Sequence, residues 1–142
     1  VKLAELTIGD RHEATVVEQL SRTQIVMYAG ASGDYNPLHT DEVYATTVAG
    51  YPRVIAHGQL TMGLTAKVFT GWIDDGELSG FGVRFKRQVW PGDTLTANAT
   101  VRAIEDQDGS RMVELEVSTV NQHGQPVMTG YARLRGEGVA RG

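Results

Sequence analysis

The sequence predicts an α+β protein in which a curved antiparallel sheet wraps around one long buried helix. Three observations carry that expectation. The segment GQLTMGLTAKVFTGWI, residues 58–73, holds one charge, Lys67, in sixteen residues, and a helix that is apolar almost all round belongs in an interior. Beyond Asp74, Asp75 and Gly76 the hydrophobic period falls to two, the period of a strand with one buried face. Strands and helices do not alternate along the chain, which sets aside a parallel, doubly wound sheet. A sheet apolar on one face, beside one apolar helix, is satisfied by curling around it.

Taken in order, residues 13–20 (EATVVEQL) are β-branched enough for a first strand. Ser21 offers a helix cap, and Gln24 completes the spacing of a capping box. The helix that follows puts Ile25, Tyr28 and Ala29 on one face and ends near Gly30 or Gly33. Thr40 is placed to cap a second short helix, DEVYATTVA, with Asp41 and Glu42 at the positive end of its dipole. Gly50, Pro52 and Arg53 make an irregular connection. In 58–73, Leu60, Leu64, Val68 and Trp72 recur at spacing four, while Met62, Phe69 and Ile73 cover other faces. At ~1.5 Å per residue this helix runs roughly 24 Å, too short for a membrane and about right for a domain centre. In GVRFKRQVW, residues 82–90, Val83, Phe85 and Val89 alternate with Arg84, Lys86 and Gln88. After the turn at Pro91, Gly92 and Asp93 come strands over 94–104, 111–121 and 126–136, joined by short turns at 106–109 and at His123 and Gly124. Those three read as an antiparallel meander.

At 142 residues, one domain spanning 1–142 is expected, large enough to bury a core without staples. A net charge of −4 with no lysine or arginine run offers no field for nucleic acid or a membrane surface. The absence of cysteine removes disulfides and thiolate nucleophiles. The opening VKLAELTIGDRHEA lacks the basic-then-apolar order of a secretory leader, so a cytoplasmic location is expected.

The chemistry concentrates in SGDYNPLHTDE, residues 32–42. Gly33 tolerates the backbone angles that end a helix. Pro37 fixes its own φ and pushes Asn36 out of helical geometry, and Asn36 can bond nearby amides. Asp34 and His39 thus sit on one stiff bend, as an acid–base pair requires. Two other readings stand beside this one. The bend can be a helix-stopping turn and nothing more, with Asp34 and Asn36 satisfying local amides. Asp34, His39, Asp41 and Glu42 can also be metal ligands, although no HxH or HExxH arrangement is present and Asp41 and Glu42 have a capping role; no metal is expected. A second feature is His57-Gly58 immediately before the apolar helix. The first amides of a helix lack internal partners and favour negative charge, and Gly58 lets an oxygen approach closely. An enolate oxygen developing on a thioester carbonyl could be stabilised there. His57 itself reads as a satisfied structural histidine at the helix entrance.

The run YAGASGDYNPLH, residues 28–39, followed after five residues by Ala45, resembles the signature of the MaoC-like, (R)-specific enoyl-CoA hydratases (hydratase 2). The downstream AHG before an apolar helix and the VRFKRQVWPGD segment are similar to the same family, and the likeness covers nearly the whole chain. The resemblance implies a single hot-dog fold and an Asp34/His39 pair that activates water for attack on a trans-2-enoyl thioester, giving an (R)-3-hydroxyacyl product, or the reverse dehydration. It implies the Gly58 N–H as donor to the thioester carbonyl, with Gly33, Asn36, Pro37 and His57 shaping the site. It implies no cofactor beyond the CoA or acyl carrier protein of the substrate, and a homodimer or a heterodimer with another hot-dog subunit.

Arg84, Lys86 and Arg87 are candidates for the phosphates of CoA or the acidic surface of a carrier protein; their bland reading is a solvated strand face. Tyr35, Tyr51 and Trp72 are candidates for lining an acyl tunnel, Tyr28 for packing. His12 is expected to be exposed, His123 to lie in a turn, and Met112 and Met128 to pack on strands. Two rivals remain. A hot-dog thioesterase is disfavoured because residues 58–73 hold no Asp or Glu, where such enzymes place their carboxylate. An acyl-thioester-binding or partner subunit without activity of its own is disfavoured by the intact Asp34/His39 pair.

Overall fold

The computed structural model describes residues 1–138. Its elements are β1 (Arg11–Val17), α1 (Arg22–Ser32), α2 (Gly58–Thr70), β2 (Glu77–Phe85), β3 (Leu95–Gln107), β4 (Ser110–Val120) and β5 (Pro126–Glu137), with short 3₁₀ turns at Leu3–Glu5 and Pro37–His39. The strands form one antiparallel sheet of five in the order β1-β3-β4-β5-β2. The expected meander is β3-β4-β5; β1 adds to one side of it and β2 to the other.

Strict alternation makes the inner face. Leu95, Ala97, Ala99 and Val101 of β3 and Val113, Leu115 and Val117 of β4 are buried. Against them α2 presents Thr61, Thr65, Val68 and Phe69. The small residues of β3 let the helix approach closely. The hydroxyls of Thr65 and Thr119 hydrogen-bond at 2.7 Å inside this layer, so neither buried oxygen lacks a partner. Each of the four ladders carries one register irregularity: Thr15/Val17, Leu78/Gly80, Val101/Ala103 and Thr119/Val120. An extra residue on one strand increases local twist, and four of them bend the sheet around α2. Among the described residues, no helix is long and apolar enough to cross a membrane.

Several sequence expectations are corrected. The first strand runs Arg11–Val17, not 13–20: Gln19 adopts φ 47°, and Leu20 instead exchanges backbone hydrogen bonds with the 92–93 turn. Helix α2 stops at Thr70, and it is not enclosed all round. Gln59, Gly63, Lys67 and Thr70 form an exposed stripe, because one sheet covers only one side of a helix. The second short helix is a π-turn over Tyr44–Val48, and its start is capped by Asp41, whose Oδ1 accepts the Tyr44 N–H at 3.2 Å; Thr40 ends the preceding 3₁₀ turn. Strand β2 begins five residues earlier than expected and ends at Phe85. At Lys86 the chain turns off the sheet. Val89 is buried, but its carbonyl bonds the Ala56 N–H at 2.8 Å, outside any strand. His12 is half-buried, with its ring stacked on Trp72 at 5.4 Å.

One structural device was not anticipated. The Leu3–Glu5 turn closes the end of the sheet, and Arg111 of β4 ties it down. The guanidinium donates to the carbonyls of Leu3, Ala4 and Leu6 and, bidentately, to Asp106. The Asp106 hydrogen bond raises the arginine's already high pKa, so the charge is held in place despite burial.

Candidate functional site

Local geometry builds the bend as the sequence expects. Ser21 and Gln24 form the capping box of α1. Gly33 ends the helix with φ 77°, its N–H bonded to Ala29 O at 3.0 Å. Asn36 Oδ1 then accepts the Leu38 N–H at 3.1 Å, with Pro37 opening the 3₁₀ turn that carries His39. Asp34 Oδ1 accepts the Asn36 N–H at 3.2 Å. Its other oxygen, Oδ2, faces His39 Nε2 at 3.9 Å. One carboxylate therefore serves both readings of the bend: one oxygen holds the turn and the other meets the imidazole.

The imidazole's tautomer follows from its second nitrogen. His39 Nδ1 lies 2.7 Å from the Ile55 carbonyl, which can only accept, so Nδ1 carries the hydrogen and Nε2 presents a lone pair to Asp34. His39 is nearly buried, with 11% of its side chain exposed, whereas the Asp34 side chain is 52% exposed. Backbone pairing of Ile55 N–H with Leu38 O at 3.1 Å joins the bend to the segment entering α2.

That segment brings in His57. Its ring stacks on His39, with centroids 3.7 Å apart and planes 23° from parallel, and it meets Tyr28 in a T-shaped contact with centroids 4.8 Å apart. His57 Nε2 donates to Asp34 O at 3.1 Å. Asp34, His39 and His57 each offer a ligand atom within 4.8 Å of the others. Imidazole lone pairs lie in the ring plane, however, and two nearly parallel rings aim them side by side, not at one ion. Asp41 and Glu42 are not part of the cluster: Asp41 caps the π-turn and Glu42 pairs with Arg22.

Next along the chain, Gly58 opens α2, so its N–H has no partner within the helix. A methyl group there would meet Phe85 Cζ at 3.0 Å. Phe85, expected on the buried face, is instead 50% exposed and lies across this helix end. Gly58 and His39 share a cavity of about 310 Å³, whose walls include Ile55, Thr61, Phe85 and Val127. Lys86 and Arg87 also line it, but Arg84 does not. Tyr35 is largely exposed, Tyr51 packs on Trp90 and Trp72 on His12; none of the three is a wall of this cavity.

A long helix cradled by a curled five-stranded antiparallel sheet is the architecture of a hot-dog protein. Within that class the chain belongs to the MaoC like domain family, whose model matches residues 4–123. The (R)-specific enoyl-CoA hydratase of Aeromonas caviae is 30% identical over 92% of this chain and 95% of its own. The peroxisomal enoyl-CoA hydratase 2 of Arabidopsis thaliana is 31% identical over 91% of this chain, which spans only 40% of the plant protein's length. Among solved structures, a monoamine oxidase regulatory protein from Archaeoglobus superposes with a TM-score of 0.85 at 27% identity, covering 99% of this chain and 96% of that one. The R-hydratase PhaJ1 of Pseudomonas aeruginosa superposes with a TM-score of 0.80 at 28% identity, covering 97% and 90%.

Proposed function

We propose that this chain hydrates trans-2-enoyl thioesters to (R)-3-hydroxyacyl thioesters, or dehydrates them in reverse, with Asp34 and His39 as the catalytic pair. The observation that carries the reading is the 3.9 Å separation of Asp34 Oδ2 and His39 Nε2. That distance is too long for a direct hydrogen bond and suits one water held at ~2.8 Å from each. Both facing atoms are acceptors, so the water's hydrogens point at the protein and its lone pair is free for the β-carbon. The O–H bond breaks as the C–O bond forms; the pair takes the proton and returns one to the α-carbon, so the addition needs no outside acid. The thioester oxygen, negative in the enolate, accepts from the Gly58 N–H, a contribution of about 2.7–4 kcal/mol if it acts like other such donors.

Lys86 and Arg87 on the cavity wall fit the phosphates of CoA or of a carrier protein's prosthetic arm, and the chemistry calls for no further cofactor. Exposed apolar side chains flank the bend, Met27, Tyr35, Val43 and Val48 among them, and support association with a second hot-dog subunit, identical or not. The test is the loss of enoyl-thioester absorbance with crotonyl-CoA beside a longer enoyl-CoA. Asp34→Asn and His39→Gln should each lower turnover by about 10²–10⁴-fold with the fold intact by circular dichroism. Unchanged turnover in Asp34→Asn sinks the mechanism. Activity that emerges only on adding a second hot-dog chain moves the reading to a subunit of a two-chain enzyme.

A further inference from the structure

We infer that His57 is a positioning residue, which locks the Asp34/His39 bend onto the N-terminus of α2 and so fixes the acid–base pair relative to the Gly58 amide. The inference rests on the proposed reaction and adds to it a residue whose sequence context indicated only structure.

His57 is 2% exposed. Its Nε2 hydrogen is committed to Asp34 O at 3.1 Å, and a carbonyl can only accept, so Nδ1 holds a lone pair. That Nδ1 is buried with no hydrogen-bond partner among the described residues. A buried polar atom without a partner costs stability. If only a ring were needed here, Phe would fill the place without that cost. The contacts made by the rest of the side chain account for its presence. Nε2 holds the backbone of Asp34, the ring face supports His39 at 3.7 Å, and the ring also meets Tyr28 in an edge-to-face contact. One side chain thus touches both members of the pair, while its main chain leads into Gly58, which opens the helix and lines the cavity. A bend held only by its own turn could shift against α2. With His57 in place, a displacement of either His39 or Asp34 must carry the helix end with it.

The two tethers separate by substitution. His57→Phe keeps a face against His39 and removes the donor to Asp34; His57→Gln keeps a donor and removes the face. Each is expected to lower kcat for crotonyl-CoA hydration about 10–10²-fold, the sensitivity of catalysis to sub-ångström misplacement, with KM within about two-fold. Because His57 acts through the pair, adding either change to His39→Gln should lower kcat by less than about two-fold further. A residue that merely supports the fold would give losses that multiply, alongside a matching fall in thermal midpoint. Wild-type kcat in both single variants, or fully multiplying losses, overturns the inference. If His57→Phe fails to fold, His57→Gln decides alone. Independently of turnover, the His39 ring resonances should shift in His57→Gln, which removes the stacked ring, and stay closer to wild type in His57→Phe, which keeps one; unchanged His39 resonances in His57→Gln overturn the stacking role. Asp34→Asn in the same assay separates the layers. If it hydrates normally, the proposed reaction fails; if it is inactive while both His57 variants are normal, only the role of His57 fails.

Discussion

Gly58 joins the local chain to the chemistry at the scale of one residue. Its missing side chain leaves room for Phe85 and, in the proposed reaction, for an incoming oxygen; a Cβ would lie 3.0 Å from Phe85 Cζ. Gly58→Ala is therefore expected to displace a half-exposed ring and hold the thioester oxygen off the amide. Steady-state kinetics should show kcat/KM lower by about 10–10²-fold with little change in thermal midpoint; wild-type kinetics would remove Gly58 from the mechanism. Asp34, His39 and Gly58 were legible in sequence because each depends on local rules: a helix stop, a proline-stiffened turn, a helix start. The importance of His57 was not. It arises from a stack between residues eighteen apart, and nothing in the local pattern around AHG reports which ring lies opposite. Lys86 and Arg87 were named as anion contacts together with Arg84, but only the pair beyond the strand end reaches the cavity.

Among the elements, the outer face of the sheet is held by Glu114 of β4, which lies between Arg102 of β3 and Arg133 of β5. Arg133 donates to Oε1 at 2.9 Å and Arg102 to Oε2 at 3.1 Å. The Arg133 hydrogen bond, followed by that of Arg102, holds the Glu114 carboxyl below the usual range against the opposing effect of burial. A folded-state pKa below the unfolded one means that the contribution is present above the unfolded value and is lost as pH falls through the folded one. Both arginines are nearly half exposed, so solvent screening limits the three-strand link to roughly 0.5–1 kcal/mol. Glu114→Gln should be less stable than wild type by that amount near about pH 7, and the difference should vanish in denaturant titrations near about pH 2–3; a constant difference across pH would refute the charge link. Periodicity found β3, β4 and β5 because buried and less buried positions alternate along the first half of β3, most of β4 and part of β5. It misjudged β2, an edge strand with little of either face buried. The apolar count over 58–73 also hid the exposed stripe of α2, although Gln59 and Lys67, the two most polar residues of the helix, both lie on it.

Across the whole molecule, the expected architecture of a sheet curled on a helix is the one observed, because binary pattern and turn residues agree from Gly58 onward. The clamp at Arg111 was not legible: in the strand pattern its alternation simply places an arginine on the inward face. Arg111→Met should keep the packing volume but leave the carbonyls of Leu3, Ala4 and Leu6 short of a donor. A loss of about 2–4 kcal/mol in urea unfolding is expected, with a more protease-sensitive N-terminal turn; a change under about 0.5 kcal/mol would show the clamp to be unimportant. The same clamp has a consequence for synthesis. Arg111 reaches back 105 to 108 residues to its three carbonyls, and among the described residues β1 pairs with β3 alone. On the ribosome, β1 and α2 emerge well before the strand that will cover them. They can pack on each other early, but the layer they share with β3 waits for residues 95–101, and the first turn waits longer still. Completion of folding is therefore expected to be limited by closing long loops, not by forming helices.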